Sequence, residues 1–414
     1  MQIYLVGGAV RDHLLQRPII ERDYVVVGAM PQQLIQQGFQ PVGKDFPVFL
    51  HPESKDEYAL ARTERKNGHG YGGFDFYTSP EITLEQDLYR RDLTINAMAM
   101  NEAGDIFDPY HGQQDLNQRI LRHVSDAFIE DPLRVLRVAR FTARYHAYGF
   151  KIADETLALM QRIAQSGELE HLTAERVWKE TVRALAEEHA DVYFQVLKDC
   201  GALKILFPEI DALFGVPQRP EYHPEIDCGI HTLMSLQQAC QNQFSTIVRF
   251  AVLCHDLGKA LTPADVLPRH IMHEKRGIEP VKALCQRLKV PTEYQQLALK
   301  VCEFHLLCHQ LFTLKASTIW KLLKNLDVLR KPEFVVWFSQ ACLCDARGRL
   351  NFEDKAYPQA EVLQQLAKQI RELKIDIPAD LKGADIGEHL TEQRMIFIRS
   401  FMSAQPEKLN PAAQ

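Results

Sequence analysis

Apolar positions early in the chain come in short runs bounded by turn formers. Residues 3–6 run into Gly7-Gly8, residues 24–27 end at Gly28, and residues 57–61 lead into a polar, Gly-rich stretch at 67–73. Short runs rich in β-branched and aromatic residues, punctuated by glycine, predict strands, and residues 93–100 and 106–107 could supply more. From about Asp126 onward the pattern changes to helical periodicity and stays there. Strands first and helices afterwards predict an α+β head on a long helical body.

Punctuation divides the chain further. The stretch GVPQRPEYHP, residues 215–224, reads as a linker before a His-containing helical module, and residues 264–269 interrupt the helices of that module. Pro358 and Pro378 mark turns in a helical tail. The expected division is a head at 1–125, a helical neck and body at 126–224, the His-containing module at 225–350 and a tail at 351–414. The chain has no internal repeat and no low-complexity tract.

Composition narrows the class. A chain of 414 residues exceeds what one hydrophobic core usually organises. Hydrophobic residues at 46% and charged residues at 25% fit an ordinary globular protein. A formal net charge of −6 excludes a generally basic nucleic-acid binder, so any RNA site is a local basic surface. The nine cysteines form no CxxC pair and none precedes Cys200, which argues against zinc ribbons and a disulfide framework and for a reducing compartment. The opening MQIYLVGGAVRD meets charge too soon for a signal peptide, and no apolar run is long enough to span a bilayer. The expectation is a cytoplasmic protein with no membrane partner.

The head concentrates phosphate and metal chemistry. In GGAVRDHLL a Gly turn precedes a helix-like run, where backbone amides can approach a phosphate and Arg11 can add a charged fork. Alone, a Gly-Gly turn is a weak signal. Glu21 and Asp23 strengthen it, because residues at i and i+2 on a strand share a face and could chelate a common pair of Mg²⁺ ions. An isolated pair of this kind is more often a solvated strand entry; the Gly turn, the arginine and the paired acids together reverse that preference.

Residues 130–145, EDPLRVLRVARFTARY, project as a helix. At 100° per residue Arg134, Arg137, Arg140 and Arg144 fall within about a 120° arc. A solvated face normally interleaves acids for i,i+4 pairing, and no acid lies between Arg134 and Arg144. An unpaired basic stripe of this kind invites phosphates. Farther on, IVRFAVLCHDLGK closes an apolar helix on His255-Asp256, with His231 upstream on another helical run. Mixed imidazole and carboxylate ligands suit a divalent transition metal better than Mg²⁺.

The segments LVGGAVRDHLL, ERDYVVVG, RRDLTINAMA, DPYHGQQDL and EDPLRVLRVARF, in that order, resemble the class II tRNA nucleotidyltransferases, the bacterial CCA-adding enzymes of the polymerase-β superfamily. The resemblance implies a polymerase-β-like head on a helical neck. It implies that Glu21 and Asp23 hold Mg²⁺ while the 3′-hydroxyl of tRNA attacks the α-phosphorus of CTP or ATP and pyrophosphate leaves. Gly8, Arg11 and Arg91 would contact the incoming triphosphate, joined by Arg137 and Arg140. Asp131 and Arg134 would read the base edge, with Glu130 orienting them. This chain carries Glu21 where the family usually has Asp, and Glu57 is a candidate third carboxylate. Asp108 and Asp115, in DPYHGQQDL, read as architectural.

HDLGK with an upstream histidine resembles the HD phosphohydrolase superfamily. That resemblance implies an all-α domain with metal ligands His231, His255, Asp256 and Asp345, Asp327 being an alternative to Asp345. His270, His273, His305 and His309 would bind substrate or sit on the surface. Head and module together resemble the multifunctional CCA proteins of some bacteria, which implies phosphodiesterase, 2′-nucleotidase and phosphatase activities beside CCA addition. A poly(A) polymerase of the same superfamily, and an inactive tRNA-binding protein with a hydrolytic HD domain, remain as alternatives.

Overall fold

The computed structural model describes residues 1–42, 48–66 and 74–405. The polar stretch at 67–73 lies outside the described residues. The chain forms two compact units, one of residues 1–184 with 192–206, the other of residues 185–191 with 207–414.

The first unit opens on β1 (Gln2–Val6), α1 (Gly8–Leu14), β2 (Asp23–Val27), α2 (Pro31–Gln36), β3 (Gln40–Val42), β4 (Val48–Leu50), β5 (Glu57–Leu60), β6 (Arg62–Lys66), β7 (Phe74–Thr78), α3 (Leu84–Tyr89), β8 (Ala99–Met100) and β9 (Ile106–Phe107). The main sheet has seven strands in the order β3-β4-β5-β2-β1-β8-β9. β1 runs antiparallel to β2, with Val6 opposite Asp23, and β2 runs parallel to β5, with Asp23 opposite Glu57. Alternate residues reach opposite faces: Tyr4, Val6 and Val25 enter one cluster with Leu88 and Ala99, Val26 packs with Leu34 and Phe49, and Leu5 packs with Val10 of α1. Burial on both faces explains why these strands read as unbroken apolar runs rather than as alternation.

Residues 93–100 differ from expectation. A 3-10 turn at Thr94–Asn96 occupies the middle, and only Ala99–Met100 pairs as strand. The turn lets buried Asn96 and Asp92 bond side chain to side chain, which an extended strand would hold about 13 Å apart along its length.

Helices follow: α4 (Gly112–Gln118), the short strand β10 (Ile120–Leu121), α5 (Leu133–Tyr145), β11 (Lys151–Ile152), α6 (Asp154–Gln165), α7 (Ala174–Leu185), α8 (Ala190–Asp199) and α9 (Ala202–Leu206). α5 begins later than the pattern predicts. Asp126–Glu130 is a 3-10 turn, Asp131 is extended at φ −116° and ψ 101°, and Pro132 caps the helix. Proline holds the preceding residue out of the helical region and suits a helix start. Glu130 and Asp131 therefore stand ahead of the neck helix rather than on it.

In the second unit α10 (Pro208–Asp211), α11 (Cys228–Gln241), α12 (Thr246–Cys254), α13 (His273–Arg276), α14 (Ile278–Arg287), α15 (Thr292–His309), α16 (Ala316–Asn325), α17 (Glu333–Arg347), α18 (Pro358–Glu372) and α19 (Ala384–Ser403) form an all-helical bundle. α12 is buried from Ile247 to Cys254 and packs on α11, α15 and α17. Residues 215–224 fold into this unit, with Pro217 bridging to Asp227, rather than running free as a linker. No described helix is long and apolar enough to cross a membrane.

Candidate active sites

At the head, β2 and β5 set Asp23 beside Glu57. Glu21 precedes β2 instead of sharing its pleat, yet its charge still reaches Asp23. Partial burial, then the charges of Glu57, Glu21 and Asp56, push the Asp23 carboxyl above its ordinary pKa against the pull of Arg91. Mutually repelling carboxylates of this kind suit a divalent cation.

The Gly turn is built for two arginines. Gly7 has φ +68°, and a Cβ there would lie 3.0 Å from Arg91 Nη1. Arg11 is buried, donates to Asn96 Oδ1, and packs against the rings of Phe141 and Tyr145 on α5 at 5.5 and 5.2 Å. Arg91 bonds Asp87 Oδ2 at 3.2 Å, and its buried Nε donates to nothing. A buried guanidinium N–H without an acceptor is costly and calls for an anion.

The neck corrects one expectation. Arg134, Arg137 and Arg140 of its basic stripe already have protein partners, where the spacing left them unpaired. Arg134 donates to the carbonyls of Ala127 and Arg90, both at 2.6 Å; Arg137 bonds Asp92 at 2.7 Å; Arg140 bonds Glu180 at 2.7 Å. Asp131 accepts from Arg176 at 2.8 Å and from the Leu133 amide at 3.1 Å. Burial alone would raise the Asp92 pKa, but Arg137 and Asn96 outweigh it and hold the group well below the carboxylate range. Asn96 accepts from Arg11 and donates to Asp92, so one chain of bonds joins Arg11 to Arg137. Asp92 and Asn96 lie in the RRDLTINAMA segment, but nothing in the sequence assigned them these partners; Arg176 and Glu180 carried no signal beyond being polar. Asp108 accepts from the amides of Gly112 and Gln113 at the start of α4, and Asp115 ties Thr94 to Arg122, the bracing role expected of both.

The second unit gathers histidines from four segments and an aspartate from a fifth. His231 lies on α11, His255 at the end of α12, His273 at the start of α13, His305 and His309 on α15, and Asp345 on α17. His231 Nε2 is 3.1 Å from Asp345 Oδ1, and His255 Nε2 is 3.0 Å from Asp256 Oδ2. His273 Nε2 lies 3.2 Å from both Asp256 Oδ1 and His305 Nε2. Gly258 permits this convergence: a Cβ there would fall 2.0 Å from the His273 carbonyl. Three groups among the described residues could each hold a metal ion: His223 with Glu225 and His231, His231 with His255 and Asp345, and Asp256 with His273 and His305. Close as they stand, His255 Nε2 and both Asp256 oxygens lack a well-directed hydrogen bond. His273 and His305 are buried rather than on the surface. His309 bonds Asp345 Oδ2 at 2.7 Å and accepts or donates to Tyr357 at 2.8 Å, while His270 bonds Thr262. Asp327 stands apart, paired with Arg330.

Burial pushes His305 down to about 3. Burial opposes charge on His255 too, but Asp256 and Asp345 overcome it and raise its pKa. Behind His231, Glu225 Oε1 sits 3.2 Å from Nδ1, and Lys259 Nζ bridges Asp256 Oδ2 and Gln218 Oε1, both at 2.6 Å.

Comparison with known proteins adds family evidence. Residues 3–122 match the poly A polymerase head domain, and residues 149–214 match a probable RNA- and SrmB-binding site of polymerase A. A multifunctional CCA protein of Acinetobacter baylyi is 69% identical over 95% of this chain and 96% of its own. One from Pseudomonas fluorescens is 56% identical over 95% and 97%. An apo CCA-adding enzyme structure superposes with a TM-score of 0.66 at 20% identity, covering 99% of this chain and 91% of that one. The fold is thus shared with CCA-adding enzymes, and by its sequence identity over nearly its full length the chain belongs to the multifunctional CCA protein family.

Proposed function

We propose that this protein rebuilds the 3′-terminal CCA of tRNA from CTP and ATP without a nucleic-acid template, and that its helical unit is a metal-dependent phosphohydrolase. The transferase reading rests on one juxtaposition: Asp23 beside Glu57 on adjacent strands, within reach of the charge of Arg91, whose Nε is unsatisfied. Solved CCA-adding enzymes have been captured with ATP and with tRNA, and those ligands fit this chemistry. Asp23, Glu21 and Glu57 are the donors for Mg²⁺, which would stabilise the charge that develops as the tRNA 3′-hydroxyl attacks the α-phosphorus and pyrophosphate leaves. Arg11 and Arg91, crowded onto the Gly7-Gly8 turn, hold the triphosphate. Arg137 is kept beside it by Asp92, and Arg140 is braced by Glu180. Asp131 and Arg134 read the base by exchanging their Arg176 and backbone partners for its edge: a carboxylate accepts from the amino group of C or A, and a guanidinium donates to ring acceptors.

The test is incubation of tRNA lacking its CCA end with each labelled nucleotide, with and without Mg²⁺. Two C residues and then one A are expected, and only with metal. Long A tracts would replace this reading with polyadenylation.

The hydrolase reading rests on tautomers. Nδ1 of His231, His255, His273 and His305 each meets a backbone carbonyl, of Gly348, Val252, His270 and Val301, at 2.9, 2.7, 2.8 and 3.0 Å. A carbonyl accepts only, so Nδ1 carries the proton and each Nε2 lone pair is left bare. With the imidazoles neutral, four such lone pairs converge with Asp256 and Asp345, a donor set that suits cations. His231, His255 and Asp345 on one side, and Asp256, His273 and His305 on the other, would hold divalent transition-metal ions, which would supply a nucleophilic hydroxide for ester cleavage. Metal content of the purified protein tests this. Close to two ions per chain are expected, falling sharply in Asp256→Ala; an unchanged content in that variant would overturn it.

A further inference from the structure

Three of the proposed triphosphate ligands, Arg11 of α1 with Arg137 and Arg140 of α5, share one aromatic neighbour. Arg137, Phe141 and Tyr145 follow one another at i, i+4 and i+8, so one face of α5 carries a cation and two rings in line. The Arg140 guanidinium stands 4.5 Å from the centre of the Phe141 ring, that of Arg11 5.5 Å and that of Arg137 5.8 Å. The Tyr145 ring lies nearly parallel to Phe141, at 10° with centroids 6.2 Å apart, and meets Arg11 at 5.2 Å. Phe141 is 5% exposed and Tyr145 is fully buried. Contacts made out of water are those in which a ring face attracts a cation most strongly.

Three guanidinium groups gathered around one ring repel one another. Each has its own carboxylate: Asp12 lies 3.0 Å from Arg11, Asp92 2.7 Å from Arg137 and Glu180 2.7 Å from Arg140. Such pairs tie an arginine to its acid without fixing one arginine against the next. The bonds of Asn96 and Asp92 link Arg11 to Arg137, but Arg140 is held separately, by Glu180 of α7. The Phe141 ring is a contact that all three share.

We propose that Phe141 is a positioning residue for nucleotidyl transfer, whose ring fixes the spacing of Arg11, Arg137 and Arg140 before the triphosphate arrives. Pre-arrangement spares the nucleotide the cost of ordering three long cationic side chains against their mutual repulsion. Because these arginines serve the phosphates, CTP and ATP depend on the ring equally. The inference rests on the transferase reading, and its test separates the two.

The full-length protein is compared with Phe141→Leu, which stays apolar but loses the ring, and with Phe141→3,4,5-trifluorophenylalanine, which keeps the ring and withdraws charge from its face. Incorporation of CTP and of ATP is measured on tRNA ends that lack CCA and A respectively, and binding of inorganic tripolyphosphate with Mg²⁺ by calorimetry. Phe141→Leu should raise KM for both nucleotides about tenfold by a common factor, with a smaller fall in kcat, and weaken tripolyphosphate about tenfold. The fluorinated protein should lose about threefold in both measures while unfolding at the wild-type temperature. Wild-type affinity for tripolyphosphate in the fluorinated protein, or unequal factors for CTP and ATP, overturns this inference and leaves the transferase reading standing. A weakening that appears only alongside a lowered unfolding temperature makes the ring mere packing and overturns it too. Failure of the wild type to incorporate either nucleotide overturns the transferase reading itself, and the tripolyphosphate comparison still decides the role of the ring.

Discussion

Asp23 and Asp92 are both head carboxylates, and their surroundings push them opposite ways. Asp23 is raised by burial and acidic neighbours, as a cation site requires, so Asp23→Ala should reduce nucleotide incorporation by at least a hundredfold with little change in stability. Incorporation at the normal rate in that variant would remove the metal assignment. Asp92 is lowered despite its burial, because Arg137 and Asn96 bond it. A depressed carboxylate stabilises the fold at pH values above its unfolded pKa, about 4, and loses that contribution as pH falls through the folded value. Arg137 is 34% exposed, so solvent weakens the pair, and Asp92→Asn should cost about 1–3 kcal/mol at pH 7. Urea midpoints should show the gap from wild type narrowing by pH 3; an equal gap at both values would mean that the ion pair is not the source. The motif residues Gly8, Arg11, Glu21, Asp23 and Arg91 were legible because the chain presents them in compact, ordered segments. The partners of Asn96, and Arg176 and Glu180 altogether, were not, because nothing local says which arginine a distant polar group will meet.

Among the elements, strand and helix types followed the spacing of apolar residues, while their ends followed single residues. Pro132 moves the start of α5 past Asp131, leaving that carboxylate on extended backbone where it can accept from both Leu133 and Arg176. In the second unit the approach of α13 to the turn after α12 depends on Gly258. Gly258→Ala forces a methyl against the His273 carbonyl, and the backbone must part. A loss of about 2–4 kcal/mol is expected, with weaker metal binding by the helical unit. Thermal unfolding and metal titration check both; a stable variant with normal metal content would show that the loop at 270–277 need not sit so close. A glycine after an apolar helix hints at a turn. Which carbonyl lies over it is visible only once α13 is placed.

For the whole molecule, the proposed nucleotidyltransferase residues lie in one compact unit and the histidine cluster in the other. The double variant His255→Ala with Asp256→Ala should therefore abolish phosphohydrolysis and retain CCA addition within a few-fold, measured on the same preparation. Loss of both activities would show that the units depend on each other. Sequence by itself determined the α+β head, the helical remainder, the ordered nucleotidyltransferase motifs and the His-Asp pair, because period, glycine turns and ligand types are local properties of a chain. Only the tertiary structure decided that the neck arginines are already paired, that Glu57 stands beside Asp23, and that His273 and His305 leave the surface to face Asp256. Those facts depend on which distant segments meet, and that choice is made by the packing of whole sheet faces and helices rather than by any one stretch of residues.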